Sequence, residues 1–518
     1  MNAPDTDRGT SGSTYANPFG RALFNKPSAR ALRRVGVVDV GSNSVRLVVF
    51  DGAARSPAYF FNEKIMCGLG AGMAESGRLN AKGRARALNA LNRFAHLAEA
   101  MDTGPLTCVA TAAVRDAADG AEFQAEVKAL TGLDLWVIDG REEARLSAQG
   151  VMLGWPGAYG LVCDIGGSSM EMAEIQGGTV GRRVTSQLGP LKMRDLPGGR
   201  KARRAYIHDA VEAMTAELGE QKNRLFLVGG SWRAIARIDM ERRGYPLHVL
   251  HEYRMSGASV RDTVRYINEA DLNSLRQSAG VSAARMELVP QAAEVLRELV
   301  RTFKPRDIAI SSYGIREGML FEQMPQQLRD RDPLIEACRF SETKDARVPG
   351  FGKVLYHFIM PLFKHARPER VRLIKAACLL HDVNWRAHPE YRADICFDTA
   401  TRANLGGLKH SERVFLGLAL LHRYSNSHGA VRIERVTQLL DTPMRRDAEI
   451  LGKAMRFGAM LWLQRDATPG KLHFYPKKKV LEFNLAPEAT ALFGEVAQAR
   501  LASLAASLDA EPVVKTAG

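Results

Sequence analysis

The sequence predicts an α/β fold made of two related lobes, followed by a mostly helical region. Strand and helix patterns alternate from Val35 onward, which is typical of a layered α/β architecture. Two segments in this part of the chain open with nearly the same pattern, and the strand patterns fade after about residue 325. A length of 518 residues suits about three domains. We therefore expect a flexible tail at 1–33, a first lobe at 34–146, a second lobe at 147–325 and a helical region at 326–518.

The first lobe should begin with two apolar strands joined by a tight turn. Val35–Val40 and 45–50 are apolar runs of strand length on either side of a Gly-Ser-Asn-Ser turn. Apolar residues then recur at helical spacing between about 80 and 101, which predicts a long helix. Such alternation indicates a sheet covered by helices. The other elements expected in this lobe are strands near 58–62, 107–111 and 135–138 and helices near 121–131 and 142–152.

The second lobe opens in the same way as the first, 125 residues later along the chain. The segment VDVGSNS at 38–44 parallels the segment CDIGGSS at 163–169. Each consists of the end of an apolar strand, an Asp, a turn rich in Gly and Ser, and the start of a return strand. We interpret the pair as the mark of a duplicated domain. Further strands are expected at 161–165, 171–175, 225–228 and 308–311, with a helix from Trp232.

The region after residue 325 is expected to be helical, and it is the most basic part of the chain. It carries 30 Lys and Arg residues against 21 Asp and Glu residues, so it supplies +9 of the net charge of +15. A basic surplus attracts polyanions, and a solvated basic surface has the same composition. The expected elements are amphipathic helices at 353–363, 370–381, 411–423 and 447–463, and a late hairpin at 473–475 and 480–483 around Lys477, Lys478 and Lys479.

Composition excludes several classes of protein. Apolar residues make up 46% and charged residues 25%, which is ordinary for a globular protein. No apolar run approaches the roughly 18 residues of a membrane helix. The six cysteines form no CxxC pair, which argues against a disulfide framework and a cysteine-based zinc site. We expect no export signal, no membrane segment and a cytoplasmic location.

The Asp-led turns have the chemistry of phosphate-binding loops. Consecutive Gly and Ser residues present backbone N–H groups and hydroxyls to an anion. A carboxylate beside such a turn would repel phosphate unless a divalent cation lay between them, so Asp39 implies Mg²⁺. The sequence contains no GxxxxGK[ST] loop, which excludes a Walker-type site. The candidate phosphate-binding residues are Gly41, Ser42, Asn43 and Ser44 in the first turn, Gly166, Gly167, Ser168 and Ser169 in the second, and Gly230 and Ser231 in a third.

Six stretches of the first two lobes carry a resemblance to a known family. They are VDVGSNSVRLVV (38–49), ATAAVRDAADGAEF (110–123), VIDGREEARLSAQGV (137–151), CDIGGSSMEM (163–172), LVGGSWRAIARI (227–238) and SYGIREGML (312–320). The paired turns resemble those of the actin, sugar-kinase and heat-shock chaperone ATPase superfamily. Within it, these stretches look like the exopolyphosphatase / guanosine-pentaphosphate phosphohydrolase family. The resemblance implies an actin-like (ribonuclease H-like) core, and longer members of the family continue into a helical domain with an HD signature.

The resemblance also implies catalytic and metal-binding residues. Glu143 matches the family's catalytic base, whereas its neighbour Glu142 has the simpler role of an acid at a helix N-terminus. Hydrolysis of a phosphoanhydride needs such a base, a positioned water and cations over the phosphoryl oxygens. The residues implied are Glu143, Arg115 and Glu171 as catalytic groups, and Asp164 and Asp39 as ligands of Mg²⁺.

Two positions in the second turn depart from the family pattern. Ser168 stands where a third Gly is usual, and Met170 stands where a Ser or Thr is usual. The backbone N–H of Ser168 can still donate to an anion. Met170 lacks a hydroxyl, which puts a phosphate or metal contact at that position in doubt.

The His381-Asp382 pair is a second candidate metal site. Imidazole and carboxylate groups together suit a divalent ion, and adjacent His and Asp share a metal in HD phosphohydrolases. No further His or Asp lies at a diagnostic spacing, so a structural role at a helix end is the alternative.

The function that the resemblance implies is Mg²⁺-dependent removal of terminal phosphate from inorganic polyphosphate. Three alternatives stay open at this point: hydrolysis of guanosine pentaphosphate, binding of polyphosphate or a guanosine penta- or tetraphosphate without hydrolysis, and nucleic-acid binding by the basic helical region. No helix-turn-helix, zinc-finger or ribonucleoprotein motif supports sequence-specific nucleic-acid binding. We expect a homodimer, and we expect the basic region to guide long chains toward the cleft.

Overall fold

The structure is a computed structural model, and it describes residues 34–51, 55–194, 196–219, 223–426, 431–461 and 469–516. The tail expected at 1–33 lies outside the described residues. Two mixed sheets carry the first part of the chain, and a helical region with a small third sheet carries the rest.

The first sheet has five strands, and its centre matches the sequence prediction. The strands are β1 (Val35–Val40), β2 (Ser44–Asp51), β3 (Ala58–Met66), β4 (Thr107–Ala110) and β5 (Leu135–Val137). They lie in the order β3-β2-β1-β4-β5, with β1, β2 and β3 antiparallel and with β4 and β5 parallel to β1. The third strand is longer than predicted because it continues along β2 as far as Met66.

The second sheet repeats this design. Its strands are β6 (Gly160–Ile165), β7 (Met170–Gln176), β8 (Thr179–Ser186), β9 (Arg224–Val228), β10 (Arg254–Met255) and β11 (Asp307–Ser311). They lie in the order β10-β11-β9-β6-β7-β8, with β6, β7 and β8 antiparallel and with β9 and β11 parallel to β6. In both sheets an antiparallel three-strand meander is extended from its first strand by two parallel strands, and the second sheet ends in the short strand β10, which is antiparallel to β11. The duplicated two-lobe architecture is therefore confirmed.

Helices cover both sheets. In the first lobe they are α1 (Met73–Ser76), α2 (Ala81–Ala100), α3 (Ala112–Asp116) and α4 (Gly120–Thr131), followed by α5 (Gly140–Gly154). In the second they are α6 (Pro190–Arg194), α7 (Gly199–Leu218), α8 (Gly230–Arg242), α9 (Gly257–Glu269), α10 (Leu272–Ser278), α11 (Ala283–Met286), α12 (Val289–Phe303) and α13 (Ile315–Glu322). The predicted long helix begins after Asn80, whose side chain accepts the N–H of Gly83 at 2.9 Å.

Helices α5 and α13 cross between the two sheets. One side of α5 packs on the first sheet through Leu146 and Leu153, and another side packs on the second sheet through Ala148 and Val151. The two helices approach closely, because a Cβ on Gly318 of α13 would overlap the main-chain carbonyl of Leu146. The first turn of α5 is thereby placed in the cleft between the lobes.

The last region is helical, as predicted, with one continuous core. Its helices are α14 (Gln326–Arg329), α15 (Pro333–Asp345), α16 (Phe351–Ile359), α17 (Pro368–Leu380), α18 (Arg392–Arg402), α19 (His410–Tyr424), α20 (Val431–Thr437), α21 (Thr442–Gly458) and α22 (Glu495–Ser507). The expected hairpin is present as β12 (Gly470–Tyr475) and β13 (Val480–Leu485). A third strand, β14 (Glu511–Thr516), pairs in parallel with β13 and was not predicted. Within the described residues, no helix combines the length and apolar character needed to cross a membrane.

Candidate active site

The two Asp-led turns close with the same backbone hydrogen bond. The N–H of Gly41 donates to the carbonyl of Ser44 at 3.0 Å, and the N–H of Gly166 donates to the carbonyl of Ser169 at 2.9 Å. Each turn follows the first strand of its sheet and leads into the antiparallel partner. The duplication read from the sequence is therefore also a duplication of turn geometry.

The two turns also meet across the cleft. The hydroxyl of Ser168 donates to Ser42 Oγ at 3.4 Å, which joins the first and second lobes. The carbonyl of Asn43 accepts the N–H groups of Cys67 and Gly68, each at 3.0 Å, and this anchors the first turn to the end of β3. The side chain of Ser168, a departure from the family pattern, thus lies between the turns.

The third predicted turn, Gly229-Gly230-Ser231, lies beside the second. Gly229 has a φ of 116°, and a Cβ there would lie 2.6 Å from the carbonyl oxygen of Ile165 and 3.3 Å from Asp164 Oδ1. Only Gly can bring the backbone this close to the end of β6. Ser231 is buried in the first turn of α8. The turn therefore places a helix N-terminus next to Asp164.

Asp164 and Glu171 are direct cross-strand neighbours on β6 and β7. Asp164 Oδ2 accepts the hydroxyl of Ser147 from α5. Glu171 is 1% exposed, and its Oε1 accepts the hydroxyl of Thr185 at 3.2 Å. Its Oε2 is buried without a hydrogen-bond partner in the structure. Two carboxylates that sequence analysis assigned to one site are thus adjacent.

Glu143 lies in the first turn of α5 and points toward the same acids. The Asp139 side chain caps this helix by accepting the N–H of Glu142 at 2.7 Å. Glu142 itself turns away and accepts two hydrogen bonds from Arg145, at 2.8 and 2.6 Å. Glu143 Oε2, in contrast, is buried with no hydrogen-bond partner in the structure. The two neighbouring acids therefore have different surroundings, one paired with Arg145 and the other turned toward the acidic group.

Burial raises the pKa of each of the four carboxyl groups Glu143, Glu171, Asp164 and Asp39, and repulsion from neighbouring acids adds to the effect. Loss of solvent, followed by repulsion from Glu171, Asp164 and Asp39, raises the pKa of Glu143 well above its usual value. Loss of solvent, with repulsion from Asp164, raises the pKa of Glu171 to about 8. Burial is also the main reason why the pKa values of Asp164 and Asp39 are raised. A bound cation would favour the ionised form of all four carboxyl groups and so lower their pKa values.

Arg115 lies at the end of α3 and faces this acidic group. Its Nη1 donates to the carbonyl of Ile138 at 3.1 Å, and its Nε donates to Asp116 at 2.9 Å. Its charge acts to lower the pKa values of both Glu143 and Glu171. The predicted arginine is thus near the predicted base.

The structure adds a group of cations that sequence analysis did not select. Arg316, at the start of α13, donates to Asp39 Oδ2 at 3.2 Å and so links the second lobe to the first turn. The pKa of Arg233 is lowered to about 10 by burial and by repulsion from neighbouring guanidinium groups. The sequence could have pointed to Arg46, Arg233 and Arg316, because they lie inside the stretches that carry the family resemblance. Lys64 and Arg285 lie outside those stretches. The added cations are Arg46, Lys64, Arg233, Arg285 and Arg316.

Met170 does not line the phosphate turns. Its side chain is fully buried in the core of the second lobe, with Met172 and Trp232 in the same cluster. The missing hydroxyl at this position therefore affects the core rather than the surface of the turn.

The His381-Asp382 pair is engaged in structural contacts. Arg347 donates to both carboxylate oxygens of Asp382, at 2.8 and 2.5 Å. The Nδ1 atom of His381 lies 2.7 Å from the carbonyl oxygen of Cys378, and burial lowers the pKa of His381 to about 4. These contacts favour a structural role for the pair over a metal site.

The acidic group between the turns has donor atoms suited to a hard divalent cation. Across the part of the chain that the structure describes, no three His, Cys, Asp or Glu side chains form a metal-binding cluster. Mg²⁺ commonly uses only one or two carboxylates and completes its shell with water and substrate phosphates. The carboxylate of Asp164 and the unpartnered Oε2 of its cross-strand neighbour Glu171 fit such a cation.

Facing Gly-Ser turns on duplicated lobes, with an acidic group at their junction, define an actin-like hydrolase of phosphoanhydrides. The model of the Ppx/GppA phosphatase family matches residues 48–327, and the model of the exopolyphosphatase C-terminal region matches residues 362–511. The chain belongs to the Ppx/GppA phosphatase family.

Individual relatives support this assignment. Exopolyphosphatase 1 of Mycobacterium tuberculosis is 26% identical over 321 residues, which cover 59% of this chain and 92% of the relative. Exopolyphosphatase 2 of the same organism is 26% identical over 315 residues, with 56% and 98% coverage. The crystal structure of an exopolyphosphatase from Cytophaga hutchinsonii matches the fold with a TM-score of 0.51 at 22% identity, covering 56% of this chain and 97% of that one.

Proposed function

We propose that the protein is an exopolyphosphatase, which releases terminal phosphate from inorganic polyphosphate with Glu143 as the general base and Mg²⁺ as the cofactor. The observation that carries the proposal is the position of Glu143, whose buried and unpartnered Oε2 lies beside Asp164 and Glu171 where the two turns meet. The names of the M. tuberculosis relatives agree with this substrate.

Glu143 would take the proton of the attacking water. A general base must be ionised, and burial together with repulsion from Glu171 raises the pKa of Glu143. Arg115 opposes this effect, because its positive charge favours the ionised carboxylate. A bound divalent cation would lower the pKa further by offsetting the negative charge of the group.

The turns and the cations would hold the phosphate chain. The turns offer N–H groups and hydroxyls from both lobes, and they meet at Ser42 and Ser168. Arg316 and Arg233 line the second-lobe side of the cleft and can balance charge that develops on the phosphoryl oxygens. This arrangement suits phosphoryl transfer to water, in which catalysis rests on positioning and charge stabilisation.

Asp164, with Asp39 opposite, would hold Mg²⁺ between the turns. The cation supplies Lewis-acid polarisation of the phosphoryl group when it is bound. Asp164 is oriented for this role by the hydroxyl of Ser147, and Asp39 is oriented by Arg316. These side chains keep their positions through contacts from both lobes.

The test is phosphate release from long polyphosphate and from guanosine pentaphosphate, each with Mg²⁺ and with a chelator. We expect Mg²⁺-dependent release from polyphosphate at a kcat/KM above that for the nucleotide. Faster hydrolysis of guanosine pentaphosphate would show that the nucleotide, and not polyphosphate, is the substrate. Binding of both ligands without any release would make the protein a regulator instead.

A further inference from the structure

Three arginines of the second lobe form a line from the cleft to the surface. Arg233 lies in the first turn of α8 and donates to the carbonyl of Ser312 at 3.4 Å. Arg237 follows on the same face, one turn and about 6 Å further along the axis. Arg233 is half-buried at the cleft, whereas Arg237 is exposed. The face of α8 therefore leads outward from the third turn.

Arg285 of α11 joins these two positions. A Cβ on Gly230 would overlap the Arg285 guanidinium, so this group lies against the N-terminus of α8. A Cβ on Gly280 would lie 3.7 Å from Arg237 Nη1, which places Arg237 against the turn between α10 and α11. Burial is the main reason why the pKa values of Arg233 and Arg285 are lowered, and repulsion adds to it, from Arg285 on Arg233 and from Arg237 on Arg285.

No ion pair joins this line of charge to an acid among the described residues, although Asp164 and Glu317 attract Arg233 from the cleft. Among the described residues, no Asp or Glu forms an ion pair with Arg233, Arg237 or Arg285, although Glu287 follows Arg285 closely in sequence. Other arginines of the same lobe are paired, as Arg200 is with Glu294 at 3.0 Å. Clustered and unpaired like charges are unfavourable in the free protein. They are expected where a polyanion supplies the opposite charge.

We propose that the phosphate chain leaves the cleft along this face of the second lobe, and that Arg237 binds phosphates distant from the scissile bond. Arg237 is then a specificity-determining residue that favours long polyphosphate over short oligophosphates. The inference rests on the proposed function. Along this path the phosphate chain would leave the cleft over the second lobe without contacting the basic helical region.

The test compares Arg237→Ala with Arg261→Ala. Arg261 is an exposed arginine of the same lobe, on α9, and forms no ion pair among the described residues, so both variants lose the same charge. Because one exposed charge contact contributes little, we expect Arg237→Ala to raise the KM for long polyphosphate by about threefold to fivefold. The KM for tripolyphosphate and the kcat should stay unchanged. Arg261→Ala should match the wild type, and Arg237→Lys should recover most of the affinity.

Salt dependence supplies a second measurement. Binding of labelled long polyphosphate should weaken with salt less steeply in Arg237→Ala than in the wild type, because one fewer phosphate contact releases counterions. Equal changes in both alanine variants, or equal changes in KM for short and long substrates, would overturn the inference. If the wild type binds polyphosphate but releases no phosphate, the proposed function fails, whereas an Arg237-specific loss of binding still supports this exit path.

Discussion

The hydroxyls of Ser42 and Ser168 are hydrogen bonded across the cleft at 3.4 Å, although 126 residues separate them in the chain. This contact joins two turns that close with the same backbone geometry. Because Asp39 precedes one turn and Asp164 precedes the other, the contact also brings the first-lobe and second-lobe acids to one place. The candidate site therefore depends on how the lobes meet, and variants of its acids are the most direct tests.

Replacement of Glu143 by Gln should abolish turnover and leave the fold intact. The amide has nearly the same volume but cannot accept the proton of water, so we expect kcat to fall by about 10²–10⁴-fold. Glu142→Gln is the matched control, because Glu142 contacts Arg145 instead of the acidic group. Phosphate release measures both variants. A Glu143→Gln enzyme with more than about a tenth of the wild-type rate would show that another group is the base.

Replacement of Asp164 by Asn should shift the requirement for Mg²⁺ to higher concentrations. Hard divalent cations prefer charged oxygen ligands, and the amide removes one charge while it can still accept the hydroxyl of Ser147. The measurement is phosphate release during a Mg²⁺ titration, with binding of labelled polyphosphate as the control for substrate affinity. An unchanged titration at normal activity would remove Asp164 from the metal site.

Without divalent cations, Glu171 should make the protein less stable as the pH rises. Its pKa is about 8 in the folded protein and 4.5 ordinarily, because burial and nearby Asp164 disfavour ionisation. The folded state therefore holds a proton that the unfolded chain releases. This contribution is fully present below about pH 4.5 and is lost as the pH rises toward about 8. Thermal denaturation of the wild type and of Glu171→Gln, with a chelator present, should show a smaller decrease in Tm between about pH 5 and about pH 8 in the variant. Equal decreases would contradict the raised pKa.

Replacement of Gly318 by Ala should destabilise the protein at the crossing of α5 and α13. The new Cβ would overlap the carbonyl of Leu146, so the helices must separate, at a cost of about 1–3 kcal/mol. Urea denaturation gives the free energy of unfolding. Gly104→Ala is the matched control, because a Cβ there meets no atom within 4 Å. Equal stability of the two variants would mean that the crossing adjusts without strain.

The sequence determined those features that depend on neighbouring residues. Strand and helix patterns gave both lobes and the helical region, and the repeated turn gave the duplication, because turns and periodicity are properties of short segments. The hairpin around the Lys477–Lys479 run was predicted for the same reason. The strand Glu511–Thr516 was missed because five of its six side chains are exposed and it carries no alternating apolar pattern. Its pairing with β13 is a long-range contact.

The tertiary structure decided which side chains share a site. Glu142 and Glu143 are adjacent in the sequence, yet one pairs with Arg145 and the other joins the buried acids, because a helix directs successive residues to different sides. The His381-Asp382 pair is likewise occupied by contacts that its sequence does not reveal. The line from Arg233 to Arg237 and Arg285 appears only when α8 and α11 are packed together. A short motif fixes a turn, whereas charge at the site depends on distant residues that burial brings within interaction range.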